Sequence, residues 1–286
     1  MPNNFPIIDG HTHVYKEHIA DKIISSFTDF YQMHPISIGQ GTVRDVLDNM
    51  QKHQIEYTIL ANFSPLKNIL DINEWTVSLG AKHKELIPLV SVHPEMSHDL
   101  IGLVEQYVQN GAKGIKMHTG IQLFEPNDIR LKPVYTFCEE HQIPITFHCG
   151  ETSKVHVNDL ADIKQIYPVL EAYQDLPFIL THMAGGTLDD VYRIADSYSN
   201  VHFDTSITVT GRHCIQRIHD DYWEDDKNTA RAFLDIGCNK VVFGSDYPFG
   251  NPGDDIKRIM TLDICEKDKR NILGKNAFKI YNVNKK

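Results

Sequence analysis

The sequence lacks several of the signals that assign proteins to narrow structural classes. It has five cysteines in 286 residues, and none of them forms a Cys-x-x-Cys motif. Scattered cysteines of this kind predict reduced thiols rather than a disulfide framework. No apolar run approaches the ~20 residues that a membrane span needs. The first residues show neither the basic nor the apolar region of a signal peptide. These absences favour a cytoplasmic protein with no membrane partner.

Positive charge is also scarce. The 28 Lys and Arg residues are outnumbered by 38 Asp and Glu residues, which gives a net charge of −10 at pH 7. An acidic chain repels phosphates and anionic lipids, so nucleic acid is not an expected partner. No Gly-x-Gly-x-x-Gly follows the first apolar run, which removes the usual signal of a doubly wound dinucleotide-binding fold.

What the sequence does contain is a regular alternation of short apolar runs with amphipathic stretches. The runs recur about every 30 residues, the size of one βα unit. Several are almost continuously apolar, as expected of parallel strands buried on both faces. Eight such runs predict an α/β protein, a (β/α)8 TIM barrel, as a single domain over residues 1–286. The runs are residues 6–9, 57–61, 87–92, 114–117, 144–147, 178–181, 201–204 and 240–244.

The stretches between the runs have helical spacing. Two connecting segments, residues 16–40 and 206–228, are longer than usual, and we expect them to form loop elaborations over the barrel mouth. Helices are predicted over residues 42–53, 74–83, 99–110, 132–141, 188–198 and 228–236.

Side chains that can do chemistry follow most of the predicted strands. The C-terminal ends of the strands carry the active site in a TIM barrel, so these side chains should converge. A single His or Asp after a strand is commonly a hydrogen-bonded loop residue or a helix N-cap. Coincidence at so many strand ends is much less expected. The set is His11, His13, His93, Lys116, His118, His148, His182, Asp204 and Asp246.

His11 and His13 end the first run and lie two residues apart. Alternate side chains of an extended segment share one face, so both imidazoles can bind one ion. Imidazoles together with a carboxylate suit a borderline divalent ion such as zinc and leave one position open for water. The metal lowers the pKa of that water to roughly 7, and a neighbouring carboxylate can take up its proton.

The motifs, in this order, resemble those of the amidohydrolase superfamily. More narrowly, they resemble its amidohydrolase-related branch, which includes aminocarboxymuconate-semialdehyde decarboxylase. The resemblance implies a TIM barrel of the metal-dependent hydrolase type, in which His11, His13, His148 and Asp246 bind the metal. It also implies that His182 polarises the substrate beside the metal or binds a second ion. The motifs are Asp9-Gly10-His11-Thr12-His13, Phe147-His148, Thr181-His182-Met183-Ala184-Gly185-Gly186 and Phe243-Gly244-Ser245-Asp246-Tyr247-Pro248.

Three further residues are predicted to contact the substrate. Lys116 and His118 share one face of the fourth run. Some superfamily members carboxylate a lysine of this strand to bridge two metals. In the branch that this chain resembles, Gly-x-Lys-x-His occurs with a single metal. We therefore expect a substrate-facing cation at Lys116, with a carboxylated bridge and a structural ion pair as alternatives. Arg212, in the long seventh loop, is predicted to bind a substrate carboxylate, with an exposed loop charge as the alternative.

Two chemistries use such a site. The first is hydrolysis of an amide, ester or lactone by metal-activated water, with Asp246 as base and then acid and His182 stabilising the oxyanion. The alternative is non-oxidative decarboxylation of a small carboxylated aromatic or muconate-like substrate, with Asp246 or water supplying a proton. Decarboxylases of the branch commonly have His-Pro-Trp where this chain has His148-Cys149-Gly150. That departure favours hydrolysis.

A third alternative is an inactive metal-binding barrel with an interaction role, which the presence of both Asp246 and His182 disfavours. The expected cofactor is one divalent metal ion. Zinc is the first expectation, with manganese, iron and nickel as alternatives and a second ion left open. The expected partner is a small-molecule substrate. The family resemblance also implies that two copies of the chain form a homodimer.

Overall fold

Short parallel strands alternate with helices along the chain. The computed structural model describes residues 6–31, 38–96, 99–150, 158–185, 187–209 and 221–283. Every strand pair in these ranges is parallel, and almost all strand residues are buried. The strands are β1 (Ile7–Thr12), β2 (Ile55–Leu60), β3 (Leu86–Pro88), β4 (Val90–Ser91), β5 (Ile115–Met117), β6 (Ile145–Phe147), β7 (Phe178–Leu180), β8 (Val201–Asp204) and β9 (Val241–Val242).

The strands form one closed ring. The sheet order is β1-β2-β3 and then β4 to β9 in sequence. β3 and β4 are two parts of one barrel strand, interrupted at Leu89. The Leu89 N–H donates to the Leu60 carbonyl at 3.1 Å, and the Lys113 N–H donates to the Pro88 carbonyl at 2.9 Å. The interrupted strand therefore bonds to both neighbours, and the fold is the predicted (β/α)8 barrel.

The ring closes between the two ends of the chain. The Gly10 N–H donates to the Phe243 carbonyl at 2.8 Å, and the His13 N–H donates to the Tyr247 carbonyl at 2.7 Å. A Cβ atom on Gly10 would lie 2.6 Å from Val242 Cγ1. The backbones of β1 and β9 can approach this closely only because residue 10 has no side chain.

The helices cover the outside of the ring, and polar residues cap several of them. Thr42 Oγ1 accepts from the Asp45 N–H at 3.3 Å, and Asn251 Oδ1 accepts from the Gly253 N–H at 3.1 Å. Such caps satisfy first-turn N–H groups that have no partner within the helix. The helices are α1 (Ala20–Tyr31), α2 (Val43–His53), α3 (Ile69–Lys82), α4 (Leu100–Gln109), α5 (Thr119–Gln122), α6 (Lys132–His141), α7 (Ile163–Ala172), α8 (Leu188–Ser197), α9 (Asp226–Ile236), α10 (Pro252–Thr261), α11 (Glu266–Arg270) and α12 (Asn276–Ile280), with a π-helical turn, Asn271–Lys275, between the last two.

The six predicted helices are all present, although α3 begins at Ile69 rather than at residue 74. α1, α5, α7, α10 and the C-terminal helices lie outside the six predicted ranges. Pro168 lies inside α7. Because an internal proline removes a backbone hydrogen bond, a sequence pattern that contains one does not indicate a helix.

The predicted loop elaborations fall partly outside the described residues, at residues 32–37 and 210–220. The single-domain assignment therefore stays a prediction. Among the described residues, no helix combines the length and the apolar character needed to cross a bilayer.

Candidate metal centre

Barrel closure brings three of the predicted metal ligands, His11, His13 and Asp246, to one place. Asp246 follows β9 with a left-handed backbone φ of 58°. Its N–H donates to the His11 carbonyl of β1 at 2.9 Å. Ligand atoms from the two ends of the chain therefore face each other across the junction of β1 and β9, which is called the seam below. These three residues are called the metal group below.

The spacing of the metal group suits one divalent ion. The Nε2 atoms of His11 and His13 are 3.2 Å apart, and Asp246 Oδ1 lies 3.1 Å and 3.6 Å from the Nε2 atoms of His13 and His11. Ligand atoms held at 2.0–2.2 Å from a single ion stand roughly 3 to 3.6 Å from one another. Asp246 Oδ1 is buried and has no hydrogen bond of acceptable geometry among the described residues. Burying such an oxygen is costly unless a cation or donor satisfies it.

The pKa values of His11 and Asp246 are shifted in the directions that suit metal ligands. Burial, followed by the nearby Lys116 cation, lowers the pKa of His11 to about 4, so its imidazole is neutral at pH 7. Burial raises the pKa of Asp246, but its interactions with the neighbouring imidazoles of His11 and His13 outweigh burial and hold this pKa below its ordinary value. Metal binding requires neutral imidazoles and an ionised carboxylate.

His182, the predicted catalytic histidine, lies beside the metal group on a left-handed turn, Thr181–Gly185. Three consecutive non-glycine residues of this turn have positive φ. Non-glycine residues adopt this conformation at an energetic cost, which is common at functional sites. Its ring centroid is 5.4 Å from that of His11. The His182 N–H donates to Asp204 Oδ1 at 2.9 Å, and its carbonyl accepts from Thr208 Oγ1 at 2.8 Å. These bonds hold the turn against the loop after β8.

His148, the fourth predicted ligand, lies on the His182 side of the site. Its Nδ1 is 3.2 Å from His182 Nε2, and its ring stacks on that of His118 at 3.7 Å between centroids. His148 belongs to neither of the two close donor groups that the described residues form, so its role as a ligand stays a prediction. Those groups are His11, His13 and Asp246, and His11, His182 and Asp204.

The two described residues that are predicted to contact substrate both reach the site. Lys116 is fully buried, with its Nζ 3.4 Å from His11 Nε2. Burial lowers its pKa to about 8, although Asp204 and Asp246 act in the opposite direction. His118 Nδ1 accepts from the Ile121 N–H at 3.3 Å, which assigns the ring proton to Nε2. Arg212 lies outside the described residues, so its predicted role stays a prediction.

Three phenylalanines pack beside His13. The ring centroid of His13 is 5.6 Å from Phe63 and 6.5 Å from Phe249. Phe27 of α1 is 5.9 Å from both phenylalanines. Phe27 and Phe63 are half-buried, whereas Phe249 is buried. These three residues, called the aromatic wall below, give the metal group an apolar neighbour.

Sequence reasoning missed the roles of two carboxylates. Asp9 accepts hydrogen bonds from the N–H groups of His11 and Ser245 at 3.1 Å and 2.9 Å and from Ser245 Oγ at 2.5 Å, and so ties both sides of the seam together. Asp204 Oδ2 accepts from His11 Nδ1 at 2.8 Å. The sequence did contain a signal for each carboxylate. Asp9 shares a strand face with His11, and Asp204 ends a predicted strand. The partners of both residues become visible only in the closed barrel.

The sequence matches the model of the family described as amidohydrolase over residues 8–283. A search of curated protein sequences finds no match. Solved structures of low identity share the barrel fold over nearly the whole chain. One is a 5-carboxyvanillate decarboxylase from Novosphingobium aromaticivorans in complex with manganese, with 14% identity, a TM-score of 0.74 and coverage of 98% of this chain and 97% of that chain.

Two further structures are similar. The 2,6-dihydroxybenzoate decarboxylase from Rhizobium has 15% identity and a TM-score of 0.65, and the match covers 97% of this chain and 99% of that chain. A probable 2-pyrone-4,6-dicarboxylic acid hydrolase from Acinetobacter baumannii has 15% identity and a TM-score of 0.66, with coverage of 96% and 99%.

Proposed function

This chain belongs to the amidohydrolase family, and we propose that it is a metal-dependent, non-oxidative decarboxylase of a small aromatic acid. The observation that carries the proposal is the metal group lying directly against the aromatic wall, through the contacts of His13 with Phe63 and Phe249. Hydrolysis, the first expectation from the sequence, becomes the second candidate.

The side chains around the metal group suit a planar acid. Aromatic rings pack edge-to-face or offset-stacked on one another, and each such pair contributes about 0.5–1.5 kcal/mol beyond its buried area. The aromatic wall and the stacked rings of His118 and His148 offer such surfaces. Lys116 supplies a buried positive charge, which a substrate carboxylate or phenolate would neutralise.

The proposed reaction breaks the bond between the ring carbon and the carboxylate. The electron pair stays on the ring carbon, this carbon takes up a proton, and CO2 leaves. When bound, the divalent ion supplies charge stabilisation and orients the oxygen atoms of the substrate.

Asp246 is proposed to carry the proton. Its lowered pKa means that the carboxylate is ionised before substrate binds, so it takes a proton from the substrate hydroxyl and then delivers that proton to the ring carbon. His182, with its ring close to that of His11, is proposed to position the substrate group bound at the centre. Lys116 is proposed to hold the carboxylate end of the substrate until the carbon–carbon bond breaks.

The similar structures support this choice of chemistry. Two of the three are decarboxylases of hydroxylated aromatic acids, and one of these was crystallised with manganese. For this reason manganese joins zinc as a metal to be tested first.

The test is CO2 release from 5-carboxyvanillate and 2,6-dihydroxybenzoate by protein loaded with Mn2+ or Zn2+. We expect CO2 and the matching phenol in equal amounts, and we expect chelator-treated protein to be inactive. Hydrolysis of an ester, amide or lactone without release of CO2 from any aromatic acid would overturn the proposal.

The second candidate is lactone hydrolysis, which one local observation favours. Gly150 follows His148-Cys149 with a φ of 117°, a backbone conformation that residues with a side chain rarely adopt, so this strand end differs from the His-Pro-Trp arrangement in conformation as well as in sequence. The Acinetobacter structure is a probable pyrone dicarboxylate hydrolase with the same fold. Turnover of 2-pyrone-4,6-dicarboxylate with no aromatic decarboxylation would favour this candidate. Metal binding without turnover of either panel would favour the inactive barrel.

A further inference from the structure

Asp204 lies at the centre of a buried hydrogen-bond network that the reaction itself does not use. Its Oδ2 accepts from His11 Nδ1 at 2.8 Å. Its Oδ1 accepts from the N–H groups of His182 and Ser206 at 2.9 Å and 3.1 Å, and from Ser206 Oγ at 2.5 Å. Asp204 and Ser206 are fully buried.

We infer that Asp204 is a positioning residue that fixes the ring tautomers of His11 and His182 and so prepares His11 to bind the metal. This inference rests on the proposed metal group but not on the reaction proposed for it. Four donors already surround the two carboxylate oxygens, which together offer about four acceptor positions. Asp204 is therefore saturated by protein donors and has no capacity left to act as a metal ligand itself.

The tautomer of His11 follows from this contact. An ionised carboxylate only accepts hydrogen bonds, so His11 Nδ1 must carry the ring proton. The lone pair is then on Nε2, the atom that faces His13 Nε2 at 3.2 Å. A carboxylate behind a ligating imidazole fixes the orientation of the ring and makes the imidazole a stronger ligand.

The tautomer of His182 follows through Ser206. The single hydroxyl proton of Ser206 is donated to Asp204, so Ser206 Oγ accepts from His182 Nδ1 at 2.9 Å. The Ser206 carbonyl, which can only accept, lies 3.1 Å from the same nitrogen. The proton of His182 is therefore on Nδ1, and its Nε2 accepts from His148 Nδ1 at 3.2 Å. This leaves Nε2 of His148 unprotonated.

Replacement by asparagine tests the inference, because an amide offers an acceptor on one side only. In Asp204→Asn the amide oxygen should keep the Oδ1 position, which accepts from three donors, so the NH2 group faces His11. An NH2 group facing His11 forces its proton onto Nε2 and blocks metal binding. We expect Mn2+ and Zn2+ affinity, measured by competition with a chelator, to fall about 10- to 100-fold.

Two comparison variants separate positioning from general loss of structure. Ser206→Ala removes the hydrogen bond to His182 Nδ1 and a 3.1 Å contact of Ser206 Oγ with His11 Nδ1, but it keeps the 2.8 Å bond from His11 Nδ1 to Asp204. Its metal affinity should therefore stay within about threefold of wild type, well short of the loss expected from Asp204→Asn. Thr229→Val is the matched control, since it breaks a buried hydrogen bond of 3.1 Å from Thr229 Oγ1 to the Trp223 carbonyl, in α9 on the outside of the barrel. It should leave metal affinity unchanged. Folded Asp204→Asn protein that binds metal as tightly as wild type would overturn the inference.

A measurement on the wild-type protein keeps the inference falsifiable if Asp204→Asn fails to fold. In the metal-free protein with 15N-labelled histidine, NMR should show protonated Nδ1 on His11 and His182, with the resonances assigned from His11→Gln and His182→Gln. The Nδ1 proton of His11 should persist when Zn2+ binds. A proton on Nε2, or loss of the Nδ1 proton on binding, would contradict the inference. No substrate is needed, so failure of the decarboxylase proposal would be distinguishable.

Discussion

Asp246 has two tasks in this account, because it belongs to the metal group and is also proposed to move a proton. Asp246→Asn keeps the size of the side chain and removes both its charge and its basicity. We expect the fold to survive, as measured by circular dichroism, and turnover to fall by about 10²–10⁴-fold, the usual contribution of acid–base catalysis.

The control for this variant is Asp235→Asn, which removes a carboxylate that pairs with Arg231 in α9. It should retain full activity. Turnover of Asp246→Asn within about tenfold of wild type would contradict the proton-transfer role.

Lys116 provides a second test at the residue scale. Its Nζ is 3.4 Å from the atom of His11 that faces the metal group, so its charge opposes a bound cation. Lys116→Met should therefore raise Mn2+ affinity by at least about tenfold, because charge repulsion at such short range is worth several kcal/mol. The same change should lower kcat/KM, because the substrate loses its cationic contact.

A loss of metal affinity in Lys116→Met would instead indicate that Lys116 is carboxylated and binds metal. If the side chain is carboxylated and bridges two ions, the variant should lose metal, measured as ions per chain by elemental analysis. Unchanged affinity together with unchanged kcat/KM would contradict both functional roles and leave a structural one.

Much of the candidate site can be predicted residue by residue, but its supporting contacts cannot. The period of two in a strand places His11 and His13 on one face, and the strand-end rule adds Asp246. The contact of Asp204 with His11 spans 193 positions of sequence. Which carboxylate faces which imidazole depends on barrel closure and on the left-handed turn at His182, and neither leaves a local pattern.

At the scale of elements, the seam between β1 and β9 decides whether the metal group forms. Gly10→Ala would place a methyl group 2.6 Å from Val242 Cγ1 and 2.8 Å from the Phe243 carbonyl oxygen. We expect the free energy of unfolding, measured in urea, to fall by about 1–3 kcal/mol, as for other overpacked sites.

Gly10→Ala should also weaken metal binding, because the same seam holds His11 against Asp246. Wild-type stability together with wild-type metal affinity would show that the strands can separate at no cost. That result would contradict the proposed importance of close backbone approach.

The prediction of the elements succeeded where the hydrophobic pattern was continuous. The apolar runs of β6 and β7 and the amphipathic α6 were readable because burial repeats at the period of the element. The division of the third barrel strand at Leu89 was not readable, since a short interruption leaves the apolar run intact. α7 was not predicted, and it contains Pro168, a residue type that usually indicates the end of a helix rather than its interior.

At the scale of the whole molecule, a partly buried histidine of β8, His202, links stability to pH. Burial, as the largest cause, lowers the pKa of His202 from 6.5 to about 4. The unfolded chain takes up this proton as the pH falls through 6.5, whereas the folded chain does not until about pH 4. Stability contributed by the neutral form is therefore complete above pH 6.5 and is lost as the pH falls towards 4.

His202→Gln should remove this part of the acid sensitivity. Between pH 7 and pH 5, urea unfolding should show wild type losing about 2 kcal/mol more than the variant. Equal losses in the two proteins would show that His202 takes up its proton as readily in the folded chain as in the unfolded one.

The central claim joins the metal group to one chemistry, so the most direct test measures both together. Metal-free protein is titrated with Mn2+ while the rate of CO2 release from 2,6-dihydroxybenzoate or 5-carboxyvanillate is recorded against the number of ions bound per chain. The account predicts a rate that rises with bound metal and reaches its maximum at one ion per chain. Full occupancy of the metal group without any release of CO2, or release that is independent of bound metal, would contradict it.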